Sequence, residues 1–178
     1  KKEENYDLAF SFKANNKENS DEIIISNVDE SSSIKVVKED IVIKNKDVII
    51  NNAFALADKQ LKLNLQEKWN RVSDYLTDTH YSSVVGKWTD VKLEVVGGDY
   101  IIFTVLYESL VEGIYLNQKL SNDFVNIVLG GKYHFVIITE EEWNKKKEEY
   151  INNIKNGIKY ELKELQVYED IVEKKETT

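Results

Sequence analysis

The 178-residue chain contains no Cys, no Pro and no Met. Without Cys there is no disulfide scaffold, no thiol nucleophile and no zinc site built on thiolates. His80 and His134 are the only histidines, so the chain cannot by itself assemble a three-His catalytic metal site. Average usage would give about 9 Pro in this length. Their absence beside so much Lys, Asn, Ile and Glu reads as compositional bias rather than a structural device. Glycine is also sparse, and all seven lie between Gly86 and Gly157. No apolar run approaches the roughly 20 residues of a transmembrane helix, and Glu3, Glu4 and Asp7 interrupt any signal-peptide core after Lys1-Lys2. A chain that starts on Lys reads as a fragment of something longer or a processed product.

What is present suffices for a core, since 42% of residues are hydrophobic. The length suits one compact domain with a linker or tail. With 24 Lys+Arg against 32 Asp+Glu the net charge is −8. Affinity for phosphate backbones comes from Lys and Arg, so this balance implies weak or no general nucleic-acid binding.

Residues 1–46 read as a largely disordered linker, rich in Asn, Ser, Glu and Lys. Two apolar islands interrupt it, Ile23-Ile24-Ile25 and Ile41-Val42-Ile43, each a weak patch or a short strand. Asp47 is placed to cap a short helix bearing Val48, Ile49, Phe54 and Leu56. Asp58 then caps a helix in which Leu61, Leu65, Trp69, Val72 and Leu76 make one apolar stripe. Thr79 to Trp88 predicts a short helix ended by Gly86. Val91, Leu93 and Val95 alternate as on a half-buried strand. Gly97-Gly98-Asp99 turns the chain into a second strand, Tyr100 to Leu106.

Glu108 to Leu129 predicts helix, with Leu110, Ile114, Leu120, Phe124, Ile127 and Val128 near one face and a possible joint at Gly113–Asn117. Gly130-Gly131 stops it as a left-handed cap, and Lys132 to Ile138 is a third strand. Thr139 with Glu142 fits a capping box. The helix it opens turns Trp143, Tyr150 and Ile154 inward and Lys145-Lys146-Lys147 to solvent. The expected fold is α+β, a small three-stranded sheet with flanking helices in the order ααββαβα.

Chemistry is harder to find. Gly97-Gly98-Asp99 and Gly130-Gly131-Lys132 match neither phosphate-loop spacing. His134 lies within a strand, and His80 lies at a loop beside Asp78. Glu140-Glu141-Glu142 fall in a first helical turn, where the dipole favours them. The basic stretch Lys145 to Lys159 is interleaved with Glu148 and Glu149. No nucleophile–base pair stands out, so no catalytic, cofactor-binding or metal-binding residue is named. The tail is unusually apolar for a chain end, with Tyr160, Leu162, Leu165, Val167, Tyr168, Ile171 and Val172. These residues either pack back on the domain or bind a partner. As a helix the tail would align Leu165, Tyr168 and Val172 in one row.

Leu61 to Val72 (LKLNLQEKWNRV), the hairpin Val91 to Leu106, and Ile138 to Tyr150 (ITEEEWNKKKEEY) carry a specific pattern. It is a helix with Leu65, Trp69 and Val72, a hairpin, a long helix, a strand, and a helix with Glu141, Trp143 and Tyr150. Over residues 47–156 this resembles the C-terminal domain of the tau subunit of bacterial DNA polymerase III, in its low-GC Gram-positive and mollicute forms. The resemblance implies a truncated KH-like domain at 47–157 after a linker, with a tail at 158–178. It also implies a non-catalytic, cytoplasmic role, tethering the clamp loader to the replicative polymerase alpha subunit. The ATPase of the full protein would lie elsewhere, and the linker would engage the replicative helicase. The tail residues named above are then the candidate partner-binding set. No membrane partner is expected. The chain lacks a G-x-x-G between paired helices, the mark of nucleic-acid binding in true KH domains. The alternatives are a KH-like single-stranded nucleic-acid binder and a mollicute surface protein.

Overall fold

A computed structural model describes residues 45–166. Within them are six α-helices, one 3-10 helix and a three-stranded sheet. The first helix, α1, covers 45–55. Then follow α2 (Lys59–Trp69), the 3-10 helix (Val72–Thr77), α3 (Ser82–Trp88), β1 (Lys92–Gly97), β2 (Tyr100–Val105), α4 (Glu108–Tyr115), α5 (Gln118–Leu129), β3 (His134–Thr139) and α6 (Glu140–Lys155). This is the α+β order expected. The islands Ile23–Ile25 and Ile41–Ile43 lie outside the described residues.

The strand order is β1-β2-β3. β1 and β2 form the antiparallel hairpin, and Gly98 takes φ 56° in its two-residue turn. β3 runs parallel to β2, with Ile101 beside Phe135 and Phe103 beside Ile137. A parallel neighbour requires a crossover connection, which α4 and α5 supply.

Each face of the sheet closes a core. On the first, Leu93, Ile101, Phe103, Val105, Phe135 and Ile137 pack with Leu65, Trp69, Trp88, Ile114, Phe124 and Leu129 from α2 to α5. On the second, Val95, Ile102, Val136 and Ile138 pack with Ile49, Ile50, Ala53 and Phe54 of α1 and Trp143 of α6. The sheet is therefore a middle layer, and all three strands are apolar on both sides.

Several local expectations change. Residues 45 and 46, read as the end of the linker, are already helical and tied to the domain through Asn45–Gln166 and Lys46–Glu142, so Asp47 lies inside α1 and not at its cap. The stripe from Leu61 does not continue in one helix. α2 stops at Trp69, and the chain tightens into a 3-10 helix with about three residues per turn. Three residues after buried Val72 comes Tyr75, which packs inward, while Leu76 is 47% exposed. Gly86 sits within α3 rather than ending it. β1 carries a bulge between Leu93 and Val95 that leaves Glu94 unpaired. An extra residue reverses the alternation, so Leu93 faces the first core and Val95 the second. Thr104 donates to the Glu94 carboxylate at 2.8 Å. The long helix is two, joined at Leu116–Asn117 within the span allowed for a joint, but Ile127 points outward. Gly130 does cap α5, at φ 72°. Only half of the capping box forms. Glu142 N–H donates to Thr139 Oγ1, but the Glu142 carboxylate pairs instead with Lys46 at 2.7 Å. Lys147 is fully buried, not solvated, because it lies one turn beyond Trp143 on the inner face.

One glycine decides where α1 can sit. A Cβ on Gly97 would lie 2.4 Å from the Ala53 carbonyl oxygen and 2.8 Å from Leu56 C. Its absence lets the end of α1 cross the hairpin, where Ala57 bridges to Gly97 and Asp58 N–H donates to Val96 O.

Candidate functional site

α6 ends on a left-handed turn. Gly157, at φ 77°, donates to Ile154 O, and Ile158 N–H donates to Asn153 O. This pairing satisfies carbonyls that the helix end would leave open and reverses the chain. Residues 158–166 then run back as a non-helical segment along α1.

Asparagines of α1 hold that segment by its backbone. Asn52, with 0% exposure, accepts from Lys163 N–H and donates to Lys163 O, both at 2.8 Å. Asn45 makes the same pair with Gln166, again at 2.8 Å in both directions. Asn51 donates to Glu161 O at 2.6 Å and to Asn52 Oδ1 at 3.0 Å. A side-chain amide has one acceptor oxygen and two donor hydrogens, so each paired Asn imitates a neighbouring strand. Asn45 and Asn52 are seven residues apart, which is two turns and about 10.5 Å along a helix. Three extended residues span about 10 Å, which matches the step from Lys163 to Gln166.

Two side chains anchor the segment. Tyr160 meets Phe54 edge-on at 5.8 Å and Tyr150 at 5.1 Å, and its hydroxyl accepts from Asn153 at 2.9 Å. Phe54 stacks on Tyr150 at 4.4 Å and on Trp143 at 5.9 Å. Burial first, then the nearby Tyr160, raises the Tyr150 phenol above its ordinary value. Leu165 packs on the same core.

The structure thus brings together Tyr160 and Leu165 of the candidate set and leaves Leu162 59% exposed. Val167, Tyr168, Ile171 and Val172 lie outside the described residues. Residues 158–166 are not helical, so no helical row forms there. The asparagines that grip the segment were not legible beforehand. Their only signal is an i, i+7 spacing in a chain full of Asn.

Other features have local roles. His134 is exposed and stacks on Tyr100 at 5.7 Å, and Asp78 Oδ1 accepts from the His80 and Tyr81 amides. Glu140 pairs with Lys92 at 2.6 Å. This hydrogen bond raises the Lys92 ammonium above its usual range, against a smaller effect of burial. Lys62 is shifted down by burial, with Glu94 opposing. Beside β3, the last strand of the described sheet, is a groove of about 160 Å³ lined by Tyr115, Gln118, Asn122, Phe135 and Leu165. There the Tyr115 hydroxyl accepts from Ile137 N–H at 3.3 Å, and burial raises the phenol's pKa. Among the described residues no group of three or more His, Asp or Glu is placed to hold a metal ion. No helix among them is long and apolar enough to cross a membrane.

Comparison of the chain with protein families, with curated proteins and with solved structures finds no match.

Proposed function

We propose that this chain is a non-catalytic interaction domain that tethers a clamp loader to the replicative polymerase alpha subunit during DNA replication, as the resemblance to the tau C-terminal domain implies. One observation carries the reading. Leu65, Trp69 and Val72 line the first core, while Trp143 and Tyr150 belong to the second. Five of the six residues that define the resemblance therefore pack on one or other face of the sheet, and the sixth, Glu141, is exposed and pairs with Lys145. A shared packing pattern supports a shared fold, and the role follows by analogy with that family.

In this reading the polymerase contact falls to the exposed Leu162 together with Val167, Tyr168, Ile171 and Val172 of the tail. The stretch before α1 acts as the linker and the helicase-engaging region. Aromatic anchors at such contacts contribute about 2 kcal/mol or more each. Titration calorimetry of the alpha subunit against the full chain tests the assignment. Tyr168→Ala should weaken binding roughly 30-fold without changing the melting temperature. No detectable heat with the parent chain would remove the tether reading, and undiminished affinity in the variant would move the contact off the tail.

A further inference from the structure

The face formed by α1 and α6 holds residues 158–166 largely by their backbone. Of residues 158–166, only Tyr160 and Leu165 are partly buried, and the other side chains are exposed. Contacts at Glu161, Lys163 and Gln166 are all to main-chain atoms. Such a site tolerates many sequences, provided that the segment is extended and offers two anchors. The segment reaches the face through Gly157, around which there is open space.

We propose that this face is a peptide-binding groove for an extended segment of another protein, carrying an aromatic residue and, five residues later, a branched aliphatic one. The chain's own 158–166 is then its resident, displaceable occupant. Asn52 and Asn45 pair with the incoming backbone, Phe54 and Tyr150 receive the aromatic ring, and the Leu165 position receives the aliphatic side chain. A second copy of this chain is the weaker candidate. Its tail has the same affinity, and it must compete with a tethered tail whose effective concentration is on the order of millimolar. A foreign segment can exceed the resident one, because the side chains between the anchors are exposed in the resident tail and other residues there could add contacts.

The probe is a fluorescein-labelled peptide with the sequence of residues 158–166, IKYELKELQ, followed by anisotropy. The full chain carrying Tyr160→Ser and Leu165→Ser should bind it at least roughly tenfold more tightly than the parent does, since its own tail no longer competes. Adding Asn52→Leu should abolish that gain. Equal or absent binding in a folded double variant overturns the proposal. A concentration-dependent dimer of the parent below 0.1 mM (a ceiling set about tenfold under the tethered tail's effective concentration) would assign the groove to a second copy and overturn the foreign-segment reading.

Should the double variant not fold, amide exchange in the parent decides. The Lys163 and Gln166 amides should exchange at least roughly a hundredfold faster than Ile102, through opening of the tail alone. Unlabelled peptide in excess should accelerate them further. Exchange of all three only on global unfolding would mean that the tail does not leave, and the proposal fails.

Discussion

On the first face of the sheet, Trp69 lies 4.8 Å from Phe103 and 5.5 Å from Trp88, and Trp88 lies 5.3 Å from both Phe103 and Phe135. On the second, Phe54 stacks against Trp143 and Tyr150, and a row of asparagine amides holds the tail. The first core is built from a continuous stretch between Leu65 and Ile137. The second joins pieces far apart in sequence, such as Asn52 and Lys163, 111 residues distant. Ring packing and apolar burial dominate the first. Hydrogen bonds from asparagine side chains to the backbone, each worth about 1 kcal/mol net, contribute a larger share of the second. The first face should thus behave as the stable body, and the second as a closure formed on it.

The largest expected effect is at Trp69. Trp69→Ala leaves a cavity among three rings and deletes the bond from Nε1 to Val91 O. It should cost about 3–5 kcal/mol, a large share of a typical domain's stability. Urea denaturation would read it. Trp143→Ala should release α1 and the tail while the first core stays protected in amide exchange. If it removes protection on both faces together, the faces form one cooperative unit and the contrast is lost.

Next is Gly97→Ala. The new methyl group meets main-chain atoms of 53–57, which cannot rotate away. A loss of about 3 kcal/mol is expected, at the upper end of overpacking costs, measured as a shift in the urea midpoint. A change below the error of that measurement would show that α1 can move off the hairpin freely.

Asn52→Leu should cost about 2 kcal/mol, because the Lys163 N–H and C=O both lose a partner that is itself fully buried. Asn45→Ala acts at an exposed pair and should cost less than about 1 kcal/mol. Thermal melts of both variants sharpen the comparison. Equal effects would mean that burial does not grade the asparagine row.

The smallest effect is one of pH. Burial holds the Tyr115 phenol above its ordinary 10.0. Above pH 10 the unfolded chain releases this proton while the folded chain keeps it, so the folded state binds more protons and stability falls as pH rises. Lys62 works in the opposite direction, since its lowered value lets the folded chain release a proton first below 10.5. Tyr115→Phe should therefore flatten the decline in denaturant midpoint as pH rises above 10. An unchanged slope would place the decline with Tyr133 and Tyr150, which are raised in the same way.

Much of the fold was legible because its signals are local. The Gly97–Asp99 turn, the Gly130 stop, the Asp58 cap and the spacing of Leu65 and Trp69 each depend on a few neighbouring residues. The misreadings fall where a tertiary contact overrides the local pattern. Alternation at Val91, Leu93 and Val95 is a regular strand on paper, yet the Glu94 bulge turns Val95 to the opposite face. Leu76 continues a helical stripe, but the 3-10 winding presents Tyr75 instead. Lys147 reads as a solvated cation, although it shares a helix face with Trp143.

The sequence by itself determined the α+β order, the hairpin and its turn, the caps of α2 and α5, and the apolar character of the tail. Each is fixed by conformational preference or periodicity within one or two turns of chain. Only the tertiary structure decided that the sheet is covered on both faces, which face each β1 side chain takes, and that Asn45 and Asn52 grip the backbone of 158–166. Those outcomes depend on which distant segments meet. A side-chain amide pairs equally well with any main-chain N–H and C=O, so its partner is set by placement and not by residue type.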